Sequence, residues 1–322
     1  MLILQRALIA GICLLAAASA HAQTYPDRLV RIINPYPAGA SVDVIGRIIA
    51  AKLSESLGQQ FIVESRSGAG GNIGADFVAK AEPDGYTLLI SAPGPLVVNQ
   101  TLYSHLSFNP AKDFAPIALA ANIPIVLMVH PSVQANNVQE LIELARRQPG
   151  KINFGSSGIG TTNHLAGELL KTMAKIDIVH VPYRGAAPAM NDLIGGHIPM
   201  LFDNMPGSLP QITSGKARGI GHAGAERAAV LPELPTVAEQ GVPGFDASSW
   251  FGIVAPAKTP APVLAKLTEE IQKILKMPDI IARFNELGAE PGTLFGKDFG
   301  AFMQAESDKW AGVIRASGAK AE

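Results

Sequence analysis

The sequence predicts an α/β protein of two lobes, each a mostly parallel sheet flanked by helices, and three observations predict it. Short apolar strand-like runs alternate with helix-like runs along most of the chain, the βαβ rhythm of a parallel sheet. Two long apolar segments, "IPIVLMVHPSVQANNVQELIELA" and "WFGIVAPAKTPAPVLAKLTEEI", echo each other, each passing from a buried strand through a proline-containing turn into an amphipathic helix. A chain of roughly 300 residues is large for one core and comfortable for two. Reading the echoing segments as crossings between lobes gives a discontinuous first lobe, 23–122 plus 251–322, and an inserted second lobe, 123–250.

The elements follow from their periods. "LVRIIN" reads as a strand and gives way to a helix whose apolar positions Val42, Ile45, Ile49 and Leu53 step by three and four. "QFIVES" is a strand, the stretch after Asn72 a helix, and "YTLLIS" a strand again. In the second lobe "NVQELIELARR" places Val138, Leu141, Ile142 and Ala145 on one helix face. "KINFGSS", "IDIVHVPY" and "HIPMLFDN" are then strands, separated by the helices "TTNHLAGELLKTMAK" and "AAPAMNDLI". The tail carries Leu264, Leu267, Ile271 and Ile274, then Phe299, Phe302, Met303 and Trp310, at helical spacing, which core packing explains.

Arg6, the apolar run that follows it and the small-x-small "AHA" predict a cleavable signal peptide, 1–22, cut near Ala22/Gln23. The single cysteine, Cys13, falls in that leader. A mature chain would lack disulfides, thiol catalysis and cysteine-bound metals, which suits a bacterial periplasm. It would carry 25 basic residues, the 26 of the full chain less Arg6, against 27 acidic ones, a formal charge of −2. No basic stripe marks a nucleic-acid partner, and no later stretch approaches the ~20 apolar residues of a membrane span.

Two loops share one design. "INPYPAGASVDVIGR" and "INFGSSGIGTTNHLAGELL" each run from a strand through small residues to a helix head, with Ser41 and Thr161 or Thr162 as N-caps. Such corners offer unpaired amides, hydroxyls and the positive end of a helix dipole, a place for an anion. Reactive machinery is missing from the pattern. Neither loop has a P-loop lysine, neither is a G-x-S-x-G elbow, and H-E-x-x-H is absent. "GIGHAG", Gly219 to Gly224, is followed by prolines where a dinucleotide fingerprint needs a helix. The reading is therefore of a site that holds, with no catalytic residue, no metal and no cofactor. Asp43 reads as an acid in a helix first turn, Arg184 as a surface charge and His164 as a packed or solvated side chain. Asp203 either meets a ligand donor or caps the next turn, and Tyr183 could line a cleft.

Taken together, "NPYPAGASVDVIGR", "SRSGAGGNIGADFVAKAEPDGYTLL", "FGSSGIGTTNHLAGELL", "VPYRGAAPAMNDLIGGHIPMLFDN" and "LPTVAEQGVPGFDASSWFGIVAPAKTP" resemble the substrate-binding proteins of tripartite tricarboxylate transporters, the Bug proteins. The resemblance covers the mature chain in order. It implies a type II-like "Venus flytrap" with two hinge crossings, a periplasmic monomer that gives a small organic anion to the membrane permease subunits of a tripartite transporter. The anion would be a di- or tricarboxylate, an acidic amino acid or an aromatic acid, held by main-chain amides and bridging waters. From the first lobe it implies Tyr36, Ala38, Gly39, Ala40, Ser41 and the loop beginning at Ser91. From the second it implies Ser156, Ser157, Gly158, Gly160, Thr161 and Thr162, with Tyr183 and Asp203 nearby. Many relatives have Gly-Gly where this chain has Gly39-Ala40; a positive φ at position 40 would strain Ala40. The alternatives are a secreted α/β hydrolase-like enzyme, which would need a nucleophile and a base, and an assembly protein without a small ligand.

Overall fold

The computed structural model describes residues 25–321. One sheet contains β1 (Val30–Asn34), β2 (Phe61–Ser65), β3 (Thr87–Ser91), β4 (Phe114–Ile123), β10 (Ser249–Pro256) and β11 (Glu290–Pro291), in the order β11-β4-β10-β3-β1-β2. The other contains β5 (Ile125–Val129), β6 (Ile152–Ser156), β7 (Ile178–Pro182), β8 (Met200–Asn204) and β9 (Arg218–His222), in the order β7-β6-β8-β5-β9. The leader read at 1–22 lies outside the described residues.

The two sheets share a permutation. β10 lies between β3 and β4, β5 lies between β8 and β9, and each runs antiparallel to both neighbours. The expectation of mostly parallel sheets is thereby corrected to two mixed ones. A parallel neighbour needs a crossover, which the helix Ser41–Leu57 supplies between β1 and β2. β5 and β10 enter their sheets from the other lobe, so the crossing sets their direction. At the first crossing a single residue, Pro124, separates the end of β4 from the start of β5.

Helices cover both faces of each sheet because adjacent strand residues point to opposite sides. Ile32, Leu88, Ile90 and Ile253 pack with Ile45 and Ile49 of the first helix and with Leu267 and Ile271 of the helix Ala261–Ile274. In the second lobe Val126, Met128 and Leu201 pack with Ala189, Met190 and Leu193 of the helix Ala186–Ile194. The remaining faces belong to one continuous core. It joins Ile33 and Leu89 of the first sheet to Leu127, Phe154 and Phe202 of the second, with Phe299, Trp310 and Ile314 of the long helix Gly296–Ser317 in the same cluster.

That helix is held to the second crossing by a buried carboxylate. Glu306 Oε2 accepts from Trp250 Nε1 of β10 at 2.9 Å and from Trp310 Nε1 at 3.0 Å, and Lys309 lies 3.4 Å from Oε1. Removing the acceptor leaves two indole N–H groups unpaired in the core. Glu306→Ala is expected to cost about 2–4 kcal/mol, and Glu306→Gln, which keeps an acceptor oxygen, less than half of that. Urea unfolding checks this directly, because both tryptophans of the chain report on the site.

Candidate ligand-binding cleft

A cavity of about 680 Å³ lies between the loops of the two sheets. Its first-lobe wall is built from Pro35–Pro37, Ala40–Val42, the glycine loop 67–71, Ala92, Gly94 and Tyr103. Its second-lobe wall comes from 157–159, 161–163, 182–186 and the end of β8, with Ser249 and Phe251 of β10 between them. The strand-to-helix corners of both sheets therefore meet at one gap.

The first corner differs in detail from its expected capping. The N-cap of Ser41–Leu57 is Ala40, at φ −65° and ψ 160°, and no side chain caps it; Ser41 is the first helical residue. Among the described residues the amides of Ser41, Val42 and Asp43 have no protein acceptor, the first helical bond being Val44 to Ala40. A helix head without a side-chain cap thus leaves donors open at the cleft. The positive φ, 81°, falls on Gly39, so Ala40 is unstrained. Asp43 is buried behind the loop, where its Oδ2 accepts from Gly39 N at 3.0 Å and from Arg47 Nε at 2.9 Å. The Gly39 amide is consequently committed to the protein.

On the opposite wall Thr161 is the N-cap, its hydroxyl oxygen accepting from His164 N at 3.3 Å and its proton going to Gly158 O at 2.7 Å. Thr162 and Asn163 leave their amides without a protein acceptor among the described residues. Gly158 and Gly160 take φ of 135° and 80°, which turn the loop across the helix head. Asn163 Nδ2 donates to Ser157 Oγ and to Asp203 Oδ1, each at 3.0 Å. Asp203 is 2% exposed, and burial pushes its carboxyl up to about 7.

The structure brings Tyr36, Ala40, Ser41, Ser157, Gly158, Thr161, Thr162, Tyr183 and Asp203 to the cavity wall. Ala38, Gly39, Ser91, Ser156 and Gly160 are not on it: Ala38 and Gly39 are exposed, and the other three are buried. Ser91 is buried and donates to Ala92 O, and Gly160 donates to His164 Nδ1 at 3.3 Å. Tyr183 turns its hydroxyl away, to Asp192 Oδ2 at 2.6 Å; burial and that carboxylate push the phenol up to about 12. Arg184, read as a surface charge, is exposed and lies at the cavity rim.

Sequence reasoning missed the loop 67–71 as a wall. Gly68, Ala69, Gly70 and Gly71 all take positive φ, and Gly71 lies so close to Pro95 that a side chain there would collide. The signal was present as consecutive glycines between a strand and a helix. It also missed a hydroxyl-imidazole pair, Ser156 Oγ to His180 Nε2 at 2.7 Å. Ser156 is fully buried and outside the cavity wall. His180 stacks on His164 with centroids 4.0 Å apart. Burial, with the neighbouring His164, lowers His180 to about 3, and burial lowers His164 to about 4.

The model of the tripartite tricarboxylate transporter family receptor matches residues 45–319. The chain belongs to that family. As a family member it is a two-lobed solute-binding receptor. BugT of Bordetella pertussis is 36% identical over 305 residues, which cover 94% of each chain. Among solved structures, R. palustris Rpa4515 with adipate is 38% identical, with a TM-score of 0.87 over 91% of this chain and 98% of that one. MatC from Rhodopseudomonas palustris, with bound malate, is 30% identical, with a TM-score of 0.83 over 90% of this chain and all of that one, 100%.

The buried ionisable groups beneath the second corner give a definite pH response. Both histidines are depressed from 6.5, so between about 6.5 and 4 the unfolded chain binds more protons and stability falls as pH falls. Asp203 acts in the opposite sense, since its carboxyl is raised from 3.8 and its ionisation in the fold costs stability as pH rises toward about 7. Glu168, raised by burial beside His164, acts with Asp203. The two histidines, with the larger depressions to about 4 and about 3, set the sign, and a net loss of stability is expected on acidification from about 6.5 to 4. Urea unfolding across this range checks it: Asp203→Asn should steepen the loss and His180→Gln should flatten it.

Proposed function

We propose that this receptor works in the periplasm as a monomer without catalytic activity, closing its lobes on a small dicarboxylate and presenting it to the membrane permease subunits of a tripartite transporter. The observation that carries this reading is the cavity between two helix heads whose first amides have no protein acceptor among the described residues. A carboxylate accepting from such amides gains charge-assisted hydrogen bonds, and each helix dipole adds about 0.3–1 kcal/mol. The ligands of the two R. palustris proteins, adipate and malate, are both dicarboxylates and support the same class.

The proposed hinges are the crossings read at 122/123 and 250/251. Closure follows when one ligand touches both walls, because only interactions present in the closed form and missing from the open one shift the equilibrium. The non-catalytic reading is supported by the hydroxyl-imidazole pair of Ser156 and His180 being buried away from the cavity, with its histidine lowered to about 3. No helix among the described residues is long and apolar enough to cross a membrane.

Thermal unfolding of ligand-stripped protein against succinate, adipate, malate and citrate tests the proposal. At a concentration of about 100 Kd, a bound dicarboxylate is expected to stabilise the fold by about 2.7 kcal/mol. Isothermal titration should give one site per chain. Absence of saturable binding by any of these acids would overturn the ligand class.

A further inference from the structure

The second-lobe wall carries a group that an anion site built on amides does not require, the carboxyl of Asp203 at the end of β8. Among the described residues its protein hydrogen bond comes from the Asn163 side chain, on Oδ1. Among the described residues no lysine, arginine or histidine is paired with it.

Asn163 decides how Asp203 and Ser157 face the cavity. Its amide nitrogen has two hydrogens, and both are committed, one to Asp203 Oδ1 and one to Ser157 Oγ. Ser157 therefore receives a hydrogen bond and keeps its own proton to donate, while an ionised Asp203 can only accept. The two oxygens are at most 6.0 Å apart, each being 3.0 Å from the same nitrogen. Hydrogen bonds of about 2.7 Å from both converge on two ligand atoms a few ångströms apart. That is the spacing between a carboxylate oxygen and a hydroxyl or ammonium on the neighbouring carbon. A plain alkanedioate offers no donor there and brings a second negative charge toward the buried carboxyl, which the low local dielectric makes costly.

We propose that Asp203 selects acids bearing a hydroxyl or ammonium beside a carboxylate, and that Asn163 is the positioning residue that holds Asp203 as acceptor and Ser157 as donor. The inference rests on the receptor reading and narrows its ligand class. A donor-acceptor pair with an ionised partner carries a larger share of affinity than a neutral one. The selection therefore resides at this point of the wall, and the helix-head amides serve every acid alike.

The test is isothermal titration of ligand-stripped protein at about pH 8, where Asp203 is mostly ionised, with the four-carbon probes succinate, malate and aspartate. Malate or aspartate is expected to bind about tenfold or more tighter than succinate. Asp203→Asn keeps an acceptor for Asn163 and should bring the ratio within about threefold, with the melting temperature confirming the fold. Asn163→Ala should collapse the same ratio, whereas a purely structural role would weaken all three acids equally. Equal binding of the three probes, or an unchanged ratio in Asp203→Asn, overturns the selection while leaving the receptor reading intact. Failure of all three to bind, together with adipate and citrate, overturns both.

Discussion

The first amides of a helix have no partner inside the helix, and the rest of this structure is arranged around where two such sets point. At Ser41–Leu57 no side chain closes the end, so Ser41, Val42 and Asp43 keep donors that only solvent or a bound group can satisfy. The loop before them is fixed from behind, by Gly39 turning at positive φ and by Asp43 accepting its amide. On the facing wall Thr161 occupies the third amide of its helix and leaves the first two open. Both corners follow the carboxyl ends of parallel strands, β1 and β6, where open α/β sheets place their ligands.

Two corners on separate sheets are useful only if the sheets keep their relation, and the crossings show how that is done. Pro124 alone separates β4 from β5, and its carbonyl accepts from Met205 N at 2.8 Å. At the return crossing Ser249 Oγ lies 3.4 Å from Thr162 Oγ1, so the start of β10 touches the head of the second-lobe helix. The C-terminal helix joins the cores of both lobes, and Glu306 ties it to Trp250 on β10. A shared core at this density rearranges between discrete packings, so the two sheets have defined relations to each other and not a continuum of them.

The elements were legible because each buries one face, and period alone reveals that. Val42, Ile45, Ile49 and Leu53 are buried on one helix, as are Leu267, Ile271 and Ile274 on another. Strand direction was not legible, since β5 and β10 take theirs from a crossing between sheets and not from a crossover within one. The cavity wall was legible where a loop of small residues led into a strong helical period, as at Ala40, Ser41, Ser157 and Thr161. It was hidden where partners come from distant segments. Ser156 meets His180, and Asn163 meets Asp203, across 24 and 40 positions, and no local pattern announces either contact. Asp43 reads as an ordinary first-turn acid in the sequence, because nothing nearby shows that its carboxylate is committed to Gly39.

A wall made of amides also answers why this cleft has few charged donors. A lysine or arginine aimed into the gap would be hydrated while the lobes are apart and would have to shed that water on closure, a cost that often exceeds the attraction it wins. Amide dipoles at a helix head are already oriented by the backbone and lose little hydration when an acid arrives. Arg184, a cation on the wall, is exposed at the rim, where it keeps its water. The same dry interior keeps His164 and His180 neutral and holds Asp203 near its balance point, so the second-lobe wall presents little fixed charge beside its donors. In that setting one buried carboxyl alters the field of the cavity more than any surface ion pair on the molecule, because water does not screen it.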